Sequence, residues 1–393
     1  MELFLSSNRK ERFDGSHPWV SERCIIEPVA KPEPGQVVEL STPSGRWIGR
    51  GVYNPNSRIR VRLYQWNRDL KLDEPWVIEQ LEHATNHRTQ WMSMNGKLEA
   101  VRWVNSEGDG LSGLIVDQYG DYLVVQINAL AVLGWESTIV AWLNSRFRPK
   151  GISIRIDPGT ARAEGLIPRH DWVHGCPPDV PIEIHDAGIR LQLDLTKGQK
   201  TGYYLDQRWN RIRAARWMSD GPLLDVCCYL GGFSLAAHHL ARPRSITAVD
   251  TSLAVLQQAE INAQLNGAEI DFVQADSFDY LKSLQDSQQR FATVVLDPPR
   301  MASNHGQVSA ALRAYYRLNH SAVNLLEAGG ILVTSSCSGR VSRSDFVGVL
   351  ASVAYRTRRS IQILENLGAD FDHPIHAQCP EGEYLKCLIC RVR

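Results

Sequence analysis

The chain has no long apolar run. Its start, Met-Glu-Leu-Phe-Leu-Ser-Ser-Asn-Arg-Lys, carries an apolar patch of two or three residues, too short for a secretory signal. No window approaches the roughly 20 apolar residues that cross a bilayer. A cytoplasmic protein without a membrane partner is therefore expected. A cysteine framework is also missing: eight cysteines are scattered through 393 residues, as expected of reduced thiols rather than disulfides. Cys387-Leu-Ile-Cys390 has the spacing of half a metal knuckle, but it has no second pair, and residues i and i+3 of a strand face opposite sides. No metal site is expected. Net charge is zero, with 43 basic and 43 acidic residues, which excludes a protein coated in positive potential. Internal repeats and low-complexity stretches are absent as well.

What remains is a chain too long for one hydrophobic core, with the turn signals of several units. Residues 1–72 hold short β-like runs broken by Pro and Gly, read as a small β-barrel. Residues 73–181 read as an α+β middle domain: a helix from Trp76 to about Met94, strands at Ala100–Val104, Leu114–Asp117 and Tyr122–Ile127, a helix from about Leu133 to Phe147, and a strand Ile152–Ile156. The polar, Pro-rich stretch from Gly159 to Val180 is the expected linker. From 182 to 393 strands and helices alternate, which implies an α/β domain with a largely parallel sheet.

The chemistry lies in that third part. Leu-Leu-Asp-Val-Cys-Cys-Tyr-Leu-Gly-Gly-Phe-Ser, Ala-Val-Asp-Thr-Ser, Val-Val-Leu-Asp-Pro-Pro-Arg and Ile-Leu-Val-Thr-Ser-Ser-Cys-Ser follow one another at strand-helix-strand spacing. Gly231 and Gly232 sit at the turn out of an apolar strand, and Asp250 ends the next strand, where its carboxylate can accept both hydroxyls of a ribose. The loop Tyr229-Leu230-Gly231-Gly232-Phe233 lacks the G-x-G-x-x-G pattern that lets backbone N–H groups approach a pyrophosphate. A nucleoside cofactor without phosphates fits better, and S-adenosylmethionine is expected. Asp276, after the next strand, could bond the adenine amino group or be an exposed acid. The two prolines of Asp297-Pro298-Pro299 stop their strand and hold Asp297 at the carboxyl edge of the sheet, where such folds place their chemistry.

Charge is patterned locally although it cancels globally. In Arg58-Ile-Arg-Val-Arg-Leu63 the residues Arg58, Arg60 and Arg62 alternate with apolar ones, so a strand would bury one face and present three guanidinium groups on the other. That stripe could bind RNA phosphates, or be a solvated face paired to acids elsewhere.

Several of these stretches, with Gly198-Gln-Lys-Thr-Gly-Tyr-Tyr-Leu-Asp-Gln-Arg208, the Tyr-x-Gly-Gly-Phe loop and His373-Pro…Pro380-Glu-Gly-Glu-Tyr-Leu-Lys386, resemble bacterial large-subunit (23S) ribosomal RNA cytosine-C5 methyltransferases of the RlmI type. The likeness extends over nearly the whole chain. His17-Pro-Trp-Val20 and Gly49-Arg-Gly-Val-Tyr-Asn-Pro-Asn-Ser57 are similar to that family's amino-terminal PUA domain, and Asn105 to Asp117 resembles its middle domain. The resemblance implies a Rossmann-like class I methyltransferase domain and a ribosomal RNA partner, and leaves a homodimer open. It puts Cys337 in the role of the thiolate that adds to cytosine C6, with Asp297 holding the base. Cofactor contacts would come from Tyr229, Gly231, Gly232, Phe233, Asp250, Asp276, Asp297 and Lys200, with Arg208 a further candidate. Arg300 follows Asp-Pro-Pro where Lys is usual, and no second cysteine stands beside that motif. Two rivals survive: methylation of a guanine nitrogen, for which Cys337 would be idle, and an RNA-binding protein without catalysis.

Overall fold

A computed structural model describes residues 1–6, 16–26, 28, 30–196 and 202–393. The chain divides into two compact units. One comprises Met1–Ile182, Asp194–Gly202 and Phe371–Gly382; the other comprises Glu183–Leu193, Tyr203–Asp370 and Glu383–Arg393.

The second unit is built on a seven-stranded sheet. We number its strands in chain order: β1 Leu223–Val226, β2 Ile246–Asp250, β3 Asp271–Gln274, β4 Phe291–Leu296, β5 Leu326–Ser336, β6 Ile361–Leu367 and β7 Lys386–Val392. Their order across the sheet is β3-β2-β1-β4-β5-β7-β6. The first five are parallel, and β7 runs antiparallel between β5 and β6. Period-2 alternation explains why both faces are buried. Leu224, Val226, Val294, Leu296, Leu332, Leu388 and Cys390 enter one apolar cluster with the helices Val308–Leu325 and Arg343–Thr357. Leu223, Val295, Ile331, Val333, Cys387 and Ile389 enter another, with Arg208–Trp217 and Gly232–Leu240. Cys387 and Cys390 thus pack on opposite faces of β7. The chain order reverses between β1 and β4, so the carboxyl ends of β1, β2, β4 and β5 open onto the crevice where doubly wound sheets bind ligands.

The first unit holds two five-stranded sheets. One runs Glu2–Phe4, Val37–Ser41, Trp47–Tyr53, Ile59–Gln65, Trp19–Ser21 around Leu3, Val20, Leu40, Val61 and Leu63. The other runs Arg169–Gly175, Gly151–Ile156, Tyr122–Ile127, Leu114–Tyr119, Ala100–Asn105, covered by the helices Glu74–Asn95 and Glu136–Phe147. Gly159–Val180 is not a linker. Pro158 opens a short helix, Pro158–Glu164, where a missing N–H costs nothing, and Arg169–Gly175 then adds the edge strand beside Gly151–Ile156. Proline here marks a helix start and not a break in order. Among the described residues no helix is long and apolar enough to cross a membrane.

Candidate active site

β1 ends in a loop under backbone constraint. Cys227, Tyr229 and Gly231 all take positive φ (62°, 50° and 80°). Such a turn favours glycine, and the two non-glycine residues are held in it by the surrounding fold. At Gly232 the need is space: a Cβ there would lie 2.5 Å from the Tyr203 hydroxyl oxygen and 2.7 Å from Arg211 Nε. The helix Gly232–Leu240 then begins, and buried Asp225 on β1 accepts from both the N–H (3.1 Å) and the hydroxyl (2.7 Å) of Ser234. Both bonds fall on one carboxylate oxygen; the other, Oδ1, is buried with no hydrogen-bond partner. Burial pushes the Asp225 carboxyl up to about 6, against the Ser234 bonds and nearby Arg211.

Asp250, at the end of β2, accepts from the Tyr229 N–H (3.2 Å) and the Ser252 N–H (3.0 Å), one on each oxygen. Each oxygen keeps a lone pair for a further donor. The Tyr229 ring meets Tyr204 edge to face with centroids 5.0 Å apart. Asp276 is exposed and caps the helix Ser277–Asp286, one oxygen accepting the N–H groups of Phe278 and Asp279. Phe233 turns into the apolar cluster against Ala214 and Ala237. Lys200 lies outside the described residues.

Asp297 follows β4, its N–H donating to the Val226 carbonyl of β1. Its side chain accepts from the Gln207 amide at 2.9 Å, while the same amide nitrogen reaches Ser335 of β5 at 3.3 Å and Asn210 donates to the Gln207 carbonyl at 2.6 Å. Gln207 therefore ties the ends of β4 and β5 together. Burial raises the Asp297 carboxyl to about 7; the Asp206 carboxylate adds to this, while Arg211 and the Gln207 bond oppose it. Carboxylates gathered out of water favour the protonated form of one of their number.

The Ser-Cys-Ser run ends β5 with a division of labour. Ser336 and Ser338 are buried and both bond the Tyr315 hydroxyl at 3.0 Å; Ser338 also accepts the N–H groups of Met301 and Ala302, holding the chain after Asp-Pro-Pro. Cys337, half-buried between them, lies on the sheet face of Ile331 and Val333, with Sγ 3.9 Å from the Pro298 carbonyl oxygen. The thiol and the Asp297 carboxyl thus stand at the ends of neighbouring parallel strands. Tyr204 belongs to the same place: burial, Cys337 and Asp297 all push its phenol up.

The arginines divide differently from the stripe expected. Arg58 is exposed, and Arg60 bonds the Pro55 carbonyl and Glu22. Arg62 is buried, paired to Glu107 at 3.3 Å and Glu164 at 3.1 Å and bonded to the Ser112 hydroxyl. Alternation says which side a residue faces, not whether a second layer covers that side. Arg208 is similarly spent, held between Asp186 and Asp370.

Gln207 and Asp225 are the residues the sequence reading passed over. Asp225 stands in the first motif, two positions before the cysteines, and its acid could have drawn notice; Gln207 lies within the 198–208 stretch that carries the resemblance, but its role shows only when the fold brings the short 3-10 turn Leu205–Gln207 to β4. The crevice suits S-adenosylmethionine: Asp250 can take the ribose hydroxyls, and the unpartnered oxygen of Asp225 can take an ammonium.

Comparison with known proteins agrees. Residues 3–66 match the family of PUA-like domains, and residues 122–385 match the S-adenosylmethionine-dependent methyltransferases. The ribosomal RNA large subunit methyltransferase I of Shewanella denitrificans is 37% identical, covering 100% of this chain and 99% of its own. The protein of that name from Klebsiella pneumoniae is 33% identical, covering 99% and 98%. Among solved structures, a methyltransferase complexed with SAH superposes over the full length of both chains with a TM-score of 0.86 at 20% identity. A SAM-dependent methyltransferase from Streptococcus mutans does so with 0.83 at 18%, a likeness that speaks for the fold. The chain belongs to the S-adenosylmethionine-dependent methyltransferase family, alongside the ribosomal RNA large subunit methyltransferase I proteins, and carries a PUA-like domain at its amino terminus.

Proposed function

We propose that the protein methylates C5 of a cytosine in large-subunit (23S) ribosomal RNA, with Cys337 as the nucleophile that activates the base. The reading rests above all on Cys337 and Asp297 standing together at the ends of β5 and β4, with the carboxyl raised to about 7. Cytosine C5 is a poor nucleophile; a thiolate adding to C6 makes it enamine-like. S-adenosylmethionine supplies an electrophilic methyl group. Asp297, protonated or paired to a protonated N3, offsets the electron density that builds on the ring as sulfur adds. After methyl transfer, loss of the C5 proton and expulsion of the thiolate regenerate Cys337.

Asp250 is assigned the ribose, Asp225 the methionine ammonium, and the outer oxygen of Asp276 the adenine amino group. Tyr229, Gly231 and Gly232 shape the loop, Phe233 anchors it, and Lys200 is assigned a further contact. The target base has to be single-stranded or flipped out to reach the crevice. The amino-terminal unit would hold RNA by backbone and shape, with Arg58 and the outer part of Arg60 as phosphate contacts and Arg62 in a supporting role.

The test is nucleoside mass spectrometry of protein-free bacterial large-subunit RNA incubated with S-adenosylmethionine and either the native protein or Cys337→Ala. New 5-methylcytidine with the native protein alone is expected. A methylated guanosine made equally by both would move the assignment to nitrogen methylation.

A further inference from the structure

Lys386, the first residue of β7, is 1% exposed, one of the largest fully buried side chains of the molecule. It stands opposite Ser336 in the β5–β7 register, adjacent to Cys337. Its Nζ donates to the carbonyls of Ser338 and Tyr384, both at 2.8 Å. Neutral donors could make both bonds, whereas a buried ammonium carries a desolvation cost that needs compensation. Two neighbouring groups can supply negative charge, Glu383 and the Cys337 thiolate, and of these Cys337 is the one at the proposed reaction centre. Lys386 and Cys337 interact electrostatically, and burial lowers the Lys386 ammonium to about 8.

We propose that Lys386 is a positioning residue whose buried positive charge favours the thiolate form of Cys337 while its hydrogen bonds fix the turn that carries the sulfur. This rests on the reading of Cys337 as nucleophile. The thiol proton passes to solvent, the lone pair stays on sulfur, and the ammonium remains intact. The other groups facing the pair are Asp297, Tyr204 and Tyr315 around the thiol, and Arg343 and Glu383 near the ammonium. Both tyrosines have raised pKa values and bring no charge at neutral pH. An ionised Asp297 works against the thiolate, and Glu383 supports the ammonium that Arg343 opposes.

The experiment follows the pH dependence of Cys337 alkylation by iodoacetamide in the full-length protein without RNA, read at the Cys337 peptide by mass spectrometry. Lys386→Gln keeps donors for the two carbonyls and removes the charge; Lys386→Met removes both. S-adenosylmethionine binding reports that each variant is folded, and either folded variant suffices. In both, the alkylation midpoint is expected to rise by about one pH unit, which makes alkylation about tenfold slower at neutral pH. An unchanged midpoint in Lys386→Gln, with a change only in Lys386→Met, would reduce Lys386 to a backbone tie and overturn the proposal. Methyl transfer by Cys337→Ala separates the two failures. Activity retained there defeats the nucleophile reading, whereas activity lost there beside an unchanged midpoint defeats the role of Lys386 alone.

Discussion

Both compact units bury carboxylates, with opposite results. In the amino-terminal unit Glu107 is half-buried beside Arg62, and although loss of water alone would raise its carboxyl, Arg62 and the hydroxyls of Ser106 and Ser112 outweigh that and hold it below the usual carboxylate range. In the methyltransferase unit buried Asp225 and half-buried Asp297 rise to about 6 and about 7, chiefly because loss of water disfavours their charge, with neighbouring acids adding to it. An ion pair removed from water keeps its charges when each has its opposite at contact distance. A carboxylate removed from water without an opposite charge at contact distance does not, and is left ready to exchange a proton or receive a cation. The first arrangement holds a fold together; the second is set for a ligand.

Four variants bear on this contrast. Cys337→Ala has the largest expected effect: methyl transfer falls by about 10³-fold or more while S-adenosylmethionine affinity is unchanged, because removing a nucleophile takes away an interaction made only during reaction. Turnover assays beside calorimetric titration of the cofactor show this, and equal loss of cofactor affinity would undo the division of roles. Arg62→Met comes next. It strands Glu107 and Glu164 and is expected to cost about 3–5 kcal/mol in urea denaturation, with the pH profile of the remaining folded enzyme unchanged. A shifted profile would show that the arginine cluster reaches the chemistry.

Asp250→Ala is expected to weaken the cofactor by about 1–3 kcal/mol, the cost of leaving buried hydroxyls unpaired, measured by the same titration. The last variant, Asp297→Asn, tests a sign. A carboxyl whose folded pKa is about 7 lies above its unfolded value near 4, so its contribution to stability is fully present in acid and lost as pH rises through 7. The asparagine variant should therefore be more stable than the native protein at pH 8, by up to about 4 kcal/mol for a shift of about three pKa units, and the difference should vanish near pH 4. It should also lose most of its methyl transfer. A native protein whose stability relative to the variant does not change with pH would contradict the raised carboxyl.

The parallel sheet and its edge were legible in the sequence because each strand is an apolar run that stops at a chemically distinct residue. Tyr122–Ile127 falls where it was expected, and Asp297 and Cys337 follow strands whose ends prolines and serines mark. Three features were not legible. Arg62 lies on the expected side of its strand, but the acids that cover it come from residues 107 and 164. Gln207 belongs to a stretch that carries the resemblance, but its bond to Asp297 acts across a separation of 90 residues and no local pattern announces it. Lys386 has the composition of a surface residue and the burial of a core one; only the register of β5 on β7 reveals why. Local patterns report periodicity and termination, while pairing of polar groups from distant segments has no local signature.

The most direct measurement is to incubate the protein and S-adenosylmethionine with ribosomal RNA carrying 5-fluorocytidine, then digest and map any covalent protein–RNA product. Fluorine at C5 cannot leave as the proton does, so a thiolate added to C6 is not expelled after methyl transfer. A stable adduct located on the Cys337 peptide, and absent in Cys337→Ala, is the predicted result. Turnover on unsubstituted RNA with no adduct on the fluorinated RNA, or an adduct on another cysteine such as Cys227, would contradict the assignment of Cys337.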